Sequence, residues 1–266
     1  MRAETPAEQS PVHLSDRPTQ ASVHWHPAAE PPPLAPGDLH LWRIRTARAG
    51  SGLQSDPLAN LEACVELLGE QQRARAWRMT HAAYRERYVR SQAGLRRILG
   101  LYLDRPPHTL AFSHGPAGKP GLGASHPHPS GLALEFNLTT TEDLALVGIS
   151  LGSELGVDCE WIRPRRDLDG IARRMFDPVR AASIAALPHE DRLPAFYRAW
   201  TALEADAKSD GRGLFQPRTP GARPPQVRHC VPAHGYIAAV AREQLPPIET
   251  WCTLVLSTRC GYRPAS

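Results

Sequence analysis

Asp158, Glu160, Glu204 and Lys208 lie in the one stretch whose residue types and spacing read as chemistry. In Leu155-Gly156-Val157-Asp158-Cys159-Glu160-Trp161-Ile162 the two acids alternate with apolar residues. As a strand this places Asp158 and Glu160 on one face and Val157, Cys159 and Trp161 on the other. Two carboxylates that close repel, and such pairs persist where a cation, a base or water lies between them. A hard divalent ion with oxygen ligands suits the position. Further along, Glu204 and Lys208 stand one helical turn apart. Tyr197, Thr201, Glu204 and Lys208 would share one helix face, beside an apolar stripe of Phe196, Trp200, Leu203 and Ala207. An isolated Glu204–Lys208 pair would be a solvated helix salt bridge worth about 0.3–0.5 kcal/mol. Gly211-Arg212-Gly213 supplies a helix stop.

The pattern around these residues predicts what must hold them. Residues 1–37, rich in proline, alanine and charge, read as a disordered tail. A first strand follows over 38–46, then a helix over 57–68 with Asp56 as cap and Pro57 in its first turn. The longest helical signal covers 81–103, with Tyr84, Tyr88, Leu95, Ile98, Leu99 and Tyr102 as its buried stripe and Arg85, Arg87, Arg90, Arg96 and Arg97 facing away. Residues 112–129 read as a loop. Its Gly115-Pro116-Ala117-Gly118-Lys119-Pro120 fails as a nucleoside-triphosphate loop: it has no Ser or Thr after the lysine, and a proline blocks the next helical turn. What survives is a lysine on a rigid turn, able to meet phosphate as a point charge. Strands over 132–136 and Leu144–Leu151 form a hairpin whose turn carries Thr139, Thr140 and Thr141, hydroxyls available to an anion. Helices over Leu168–Met175, 178–187 and 192–208 and strands over 236–241 and 250–256 complete the chain.

The 266 residues, 41% of them hydrophobic, suffice for one large domain or two small ones. No run approaches a membrane span and no secretory pattern opens the sequence, so the cytoplasm is the expected location. Five scattered cysteines lack metal-ligand spacing and suit reduced thiols. His114, His126 and His128 have no carboxylate partner that would make a metal set of them. The formal charge is only +4, but Arg163, Arg165, Arg166, Arg173, Arg174 and Arg180 crowd together, as a dock for an acidic partner or as a solvated basic face. No nucleic-acid-binding motif accompanies them.

Five ordered segments carry a resemblance. Arg87-Tyr88-Val89 through Leu99, Gly118-Lys119-Pro120, Phe136-Asn137-Leu138-Thr139-Thr140-Thr141, Gly156-Val157-Asp158-Cys159-Glu160 and Trp200-Thr201-Ala202-Leu203-Glu204-Ala205-Asp206-Ala207-Lys208 resemble the motifs of the 4'-phosphopantetheinyl transferases, the larger surfactin-synthetase-activating type. The resemblance spans about 39–241. It implies an α+β fold of two similar α/β halves related by pseudo-twofold symmetry, 38–152 and 153–266, with coenzyme A in the cleft between them and a monomer sufficient for activity. It implies transfer of 4'-phosphopantetheine from coenzyme A to a serine of an acidic acyl or peptidyl carrier protein. Asp158, Glu160 and Glu204 would hold Mg²⁺, and Glu204, or a water it orients, would take the serine proton. Lys208 and Lys119 would pair with phosphate, Thr139, Thr140 and Thr141 with the nucleotide end, and Arg163, Arg165 and Arg166 with the carrier protein. Two positions depart from the family pattern: Thr140 stands for its histidine and Leu203 for the lysine before its helix glutamate. They leave open a non-catalytic relative that binds coenzyme A or a carrier protein.

Overall fold

Leu144–Leu151 is apolar along almost its whole length, and all eight residues are buried inside a five-stranded sheet. A computed structural model describes residues 23–47, 56–123 and 128–258. In chain order its elements are β1 (His26–Ala28), β2 (His40–Arg45), α1 (Leu61–Glu66), α2 (Glu70–Trp77), α3 (Ala82–Leu103), β3 (Phe112–His114), β4 (Pro120–Leu122), β5 (Leu134–Thr141), β6 (Leu144–Leu151), β7 (Leu155–Trp161), α4 (Leu168–Met175), α5 (Pro178–Ala185), α6 (His189–Ser209), β8 (Gln226–Cys230), β9 (Tyr236–Arg242) and β10 (Cys252–Leu256). The fold is α+β.

The first sheet runs β1-β10-β2-β6-β5 and the second β7-β9-β8, with β3 and β4 as a separate ribbon. β10 lies parallel to both β1 and β2, so residues that follow the second sheet complete the first. Part of the expected tail is therefore structured: β1 lies within 1–37, while residues 1–22 fall outside the described residues. His126 and Cys260 also fall outside them.

Several expected elements move. The 57–68 helix begins instead at Leu61, because Asn60 accepts from the Ala63 amide as its cap, while Asp56 accepts from Leu58 in a turn before it. The hairpin register pairs Thr141 with Leu144, leaving a two-residue turn, Glu142-Asp143. The three β-branched threonines thus extend β5 instead of forming the turn, as strand propensity favours. Glu142 takes the left-handed conformation that so tight a turn demands (φ 46°). On α3, Tyr84 is exposed, whereas Arg90 and Arg96 are buried. Their heads are satisfied: Arg90 donates to the Leu58 carbonyl and Glu86, and Arg96 to Gln72 and the carbonyls of Pro107 and Leu110. α2, β8 and the β3–β4 ribbon lie where no element was expected.

Candidate active site

β7 and α6 meet through a residue with no side chain. A Cβ on Gly156 would lie 2.0 Å from the Ala205 carbonyl oxygen and 2.5 Å from the Ser209 amide nitrogen, so only glycine lets the helix lie this close to the strand. Tyr197, Thr201 and Ala205, spaced one turn apart, are fully buried on α6. Leu203 is only half-buried and belongs to none of the apolar clusters, contrary to the stripe expected from spacing. Phe196 and Trp200 pack instead with Ala172, Phe176 and Ile184 of the α4–α5 region. Val157 and Cys159 are buried as expected, but Trp161, at the strand end, is 41% exposed.

This packing carries Lys208 to Asp158. The ammonium donates to Asp158 Oδ1 at 2.6 Å and lies 3.7 Å from Glu204 Oε2. Thr139 Oγ1 donates to the same Asp158 oxygen at 3.1 Å, while Asp158 Oδ2 is buried with no hydrogen-bond partner among the described residues. Burial raises the pKa of Glu160, with the Asp158 charge adding to it. Glu204 is also raised by burial, opposed by Lys208 and reinforced by Asp158. Among the described residues, no three His, Cys, Asp or Glu side chains already converge as a metal-ligand set. The donor chemistry nevertheless fits a hard divalent cation: three oxygen donors under mutual repulsion, one offering an unpartnered buried oxygen.

Other expected site residues are placed differently. Lys119 Nζ donates to the Ser209 carbonyl at 2.8 Å, tying the β3–β4 ribbon to the C-terminus of α6. Of the three threonines Thr140 alone is exposed; Thr139 is buried on Asp158. Arg163 pairs with Glu142, which also holds Arg87, and Arg165 donates to the Tyr197 hydroxyl. Both arginines make these contacts while remaining exposed, as Arg166 is.

A model of the 4'-phosphopantetheinyl transferase superfamily matches residues 154–238. The chain is 33% identical over 190 residues to 4'-phosphopantetheinyl transferase HetI of Nostoc sp., a match covering 71% of this chain and 76% of that protein. This chain belongs to the 4'-phosphopantetheinyl transferase superfamily. A putative 4'-phosphopantetheinyl transferase, slr0495 of Synechocystis sp., is 32% identical over 148 residues, 56% of this chain and 58% of its own. 4'-Phosphopantetheinyl transferase AcpT of Salmonella typhimurium is 35% identical over 103 residues, 39% of this chain and 50% of its own. The family-matched region contains Asp158, Glu160, Glu204 and Lys208.

In this superfamily member two adjoining cavities lie along the β3–β4 ribbon, the smaller of them beside Glu204. The smaller, about 270 Å³, is lined by Lys119, Asn137, Glu204, Lys208, Gly211 and Gly213 among others. The larger, about 690 Å³, presents Arg75, Arg78, Gln92 and His114. Gly118, Pro120 and Leu138 line both, so the two cavities adjoin, with the arginines in one and Lys208 in the other. Sequence reasoning missed Arg75 and Arg78; a cationic helix over 70–77 was the available signal. It also missed the network that holds the Gly211–Gly213 turn: Asp206 pairs with Arg212 and Arg218, and Asp210 with the same arginines at 2.8 and 3.0 Å.

Proposed function

We propose that this chain transfers the 4'-phosphopantetheine group of coenzyme A to a serine of an acyl or peptidyl carrier protein. The observation that carries the reading is the pair of adjoining cavities, one presenting Arg75 and Arg78 and the other Glu204 and Lys208. Coenzyme A is elongated and anionic. Its nucleotide end suits the Arg75 and Arg78 cavity and its pyrophosphate suits Lys208, with Thr140 exposed and free to bind. The two-half architecture, divided near residue 152 with pseudo-twofold symmetry, belongs to the same reading.

In the transfer, the serine oxygen attacks the phosphorus that bears pantetheine. A phosphorus–oxygen bond forms to serine, and the bond to the departing adenosine 3',5'-bisphosphate breaks. Glu204, or a water it orients, is the proton acceptor, one helical turn from the Lys208 ammonium. Lys208, already between two carboxylates, would turn part of its donor capacity to the pyrophosphate and neutralise charge there. Asp158, Glu160 and Glu204 would hold Mg²⁺, which when bound neutralises developing charge on phosphate oxygens. Exposed Arg166, Arg173, Arg174 and Arg180 offer an acidic carrier protein its charge complement. Arg163 and Arg165, exposed beside them although each has a partner within the chain, extend the same basic surface.

The test is the intact mass of an apo acyl carrier protein after incubation with this chain, coenzyme A and Mg²⁺. A gain of one phosphopantetheine, absent without the metal and absent with Asp158→Ala, is the expected result. No gain across several carrier proteins, with the chain shown to be folded, would favour a binding role for the two cavities without transfer.

A further inference from the structure

We propose that Thr139, supported by Asn137, is a positioning residue for Asp158 and not a ligand of coenzyme A. The proposal rests on the transferase reading above. It starts where the open edge of β7 meets the inner face of β5. β5 ends the first sheet and β7 ends the second, so the two strands share no backbone ladder. An unpaired strand edge must satisfy its amides elsewhere. The Val157 amide of β7 donates to Asn137 Oδ1 at 2.8 Å, and Asn137 is only 3% exposed.

Asn137 and Thr139 lie two apart on β5 and so share one face. The first fixes the β7 backbone at Val157; the second reaches the side chain of the next residue, Asp158. A threonine hydroxyl has one proton to donate, and Thr139 gives its proton to Asp158 Oδ1. A phosphate oxygen, which only accepts, would have to break that bond to gain one from the buried Thr139. Thr140, exposed on the opposite face, faces no such competition.

The two donors on Asp158 Oδ1 differ in stiffness. Lys208 has a long, partly exposed side chain that substrate phosphate could draw away. Thr139 is β-branched and held in a buried strand, where its χ1 has little freedom. It keeps the carboxylate oriented, with Oδ2 presented, when Lys208 moves. Asn137 keeps the strand beneath it in register.

The experiment compares Thr139→Val and Thr139→Ser with wild type in steady-state transfer, varying coenzyme A against an apo carrier protein, with melting curves as a fold check. Loss of an outer partner of a metal-holding carboxylate typically costs about 10–100-fold. Thr139→Val should therefore lower kcat by at least about tenfold with KM for coenzyme A nearly unchanged. Thr139→Ser, which keeps the hydroxyl, should restore most of kcat. Mn²⁺ binding in the presence of coenzyme A, followed by the electron paramagnetic resonance of the free ion, should weaken about tenfold in Thr139→Val. A raised KM for coenzyme A with kcat and Mn²⁺ affinity unchanged would overturn the proposal and return Thr139 to the nucleotide. So would serine failing as badly as valine. An inactive wild type would instead overturn the transferase reading, and the proposal with it.

Discussion

The carbonyl oxygen of Ala205 lies 2.0 Å from the point where Gly156 would carry a Cβ. The obstructing atoms are helix backbone, which cannot swing aside as a side-chain tip can. Gly156→Ala must therefore lift α6 from β7 and lengthen the Lys208–Asp158 contact. Overpacking of this kind costs about 1–3 kcal/mol, so we expect a clear drop in melting temperature together with reduced transfer. Thermal melts and initial rates check both; a variant as stable and active as wild type would mean that the helix slides without cost.

His40 predicts acid sensitivity away from the site. Burial pushes its pKa down to about 4, against a smaller opposing effect of Asp38. Nδ1 lies 2.7 Å from the Tyr102 hydroxyl, which also accepts from Trp42 Nε1 at 2.9 Å, so a neutral ring accepting from Tyr102 satisfies the cluster. The unfolded chain takes up this proton below about pH 6.5 and the folded chain resists until about pH 4. Stability contributed by the neutral ring is present above 6.5 and is lost as pH falls through that interval. Denaturation midpoints measured across it should fall less steeply in His40→Gln; parallel slopes would refute the assignment.

Lys119 is a tether before it is anything else. Its ammonium caps the C-terminal carbonyl of α6 at Ser209, where a cation also faces the negative end of the helix dipole. Lys119→Met should cost about 1–2 kcal/mol in urea denaturation, the scale of a charged hydrogen bond partly open to water. An unchanged midpoint with weaker coenzyme A binding would make the lysine a phosphate ligand alone.

Leu203→Lys asks whether the departure from the family pattern is functional. Because Leu203 sits outside the apolar clusters, the replacement should leave the melting temperature within a degree or two, as for surface substitutions of about 0.5 kcal/mol or less. Coenzyme A affinity, measured by calorimetry, should rise if the position faces phosphate. Lost stability with unchanged affinity would return Leu203 to the core.

Long periodic segments were legible from the sequence. α3, α4, α6 and β7 lie where spacing placed them, and β6 where its continuous apolar run placed it, buried on both faces. The facing of α6 was not legible: Phe196, Trp200 and Leu203 looked like one stripe, but Gly156 draws the helix onto its small-residue side, where Ala205 sits. Thr139, Thr140 and Thr141 looked like a turn because hydroxyls are common in turns, and only the pairing of Thr141 with Leu144 makes them strand. At the site, the residue types of Asp158, Glu204 and Lys208 announced their grouping. Asn137 and Arg75 did not announce themselves, since each acts through contacts that exist only once distant segments have met.

β10 inserts between β1 and β2, and among the described residues β1 has no other neighbour in its sheet. During synthesis from the N-terminus, the first sheet therefore cannot close when its own helices and hairpin have emerged. It waits, with β2 offering an unpaired edge, until residues 252–256 have been made and have returned past the second sheet. The carboxylate strand β7 and its helix α6 are complete before that closing strand arrives. Assembly of the chain is thus sealed by a late segment that touches none of the chemistry, and interrupted synthesis would leave the catalytic elements attached to an open sheet edge, the kind of surface on which chains aggregate.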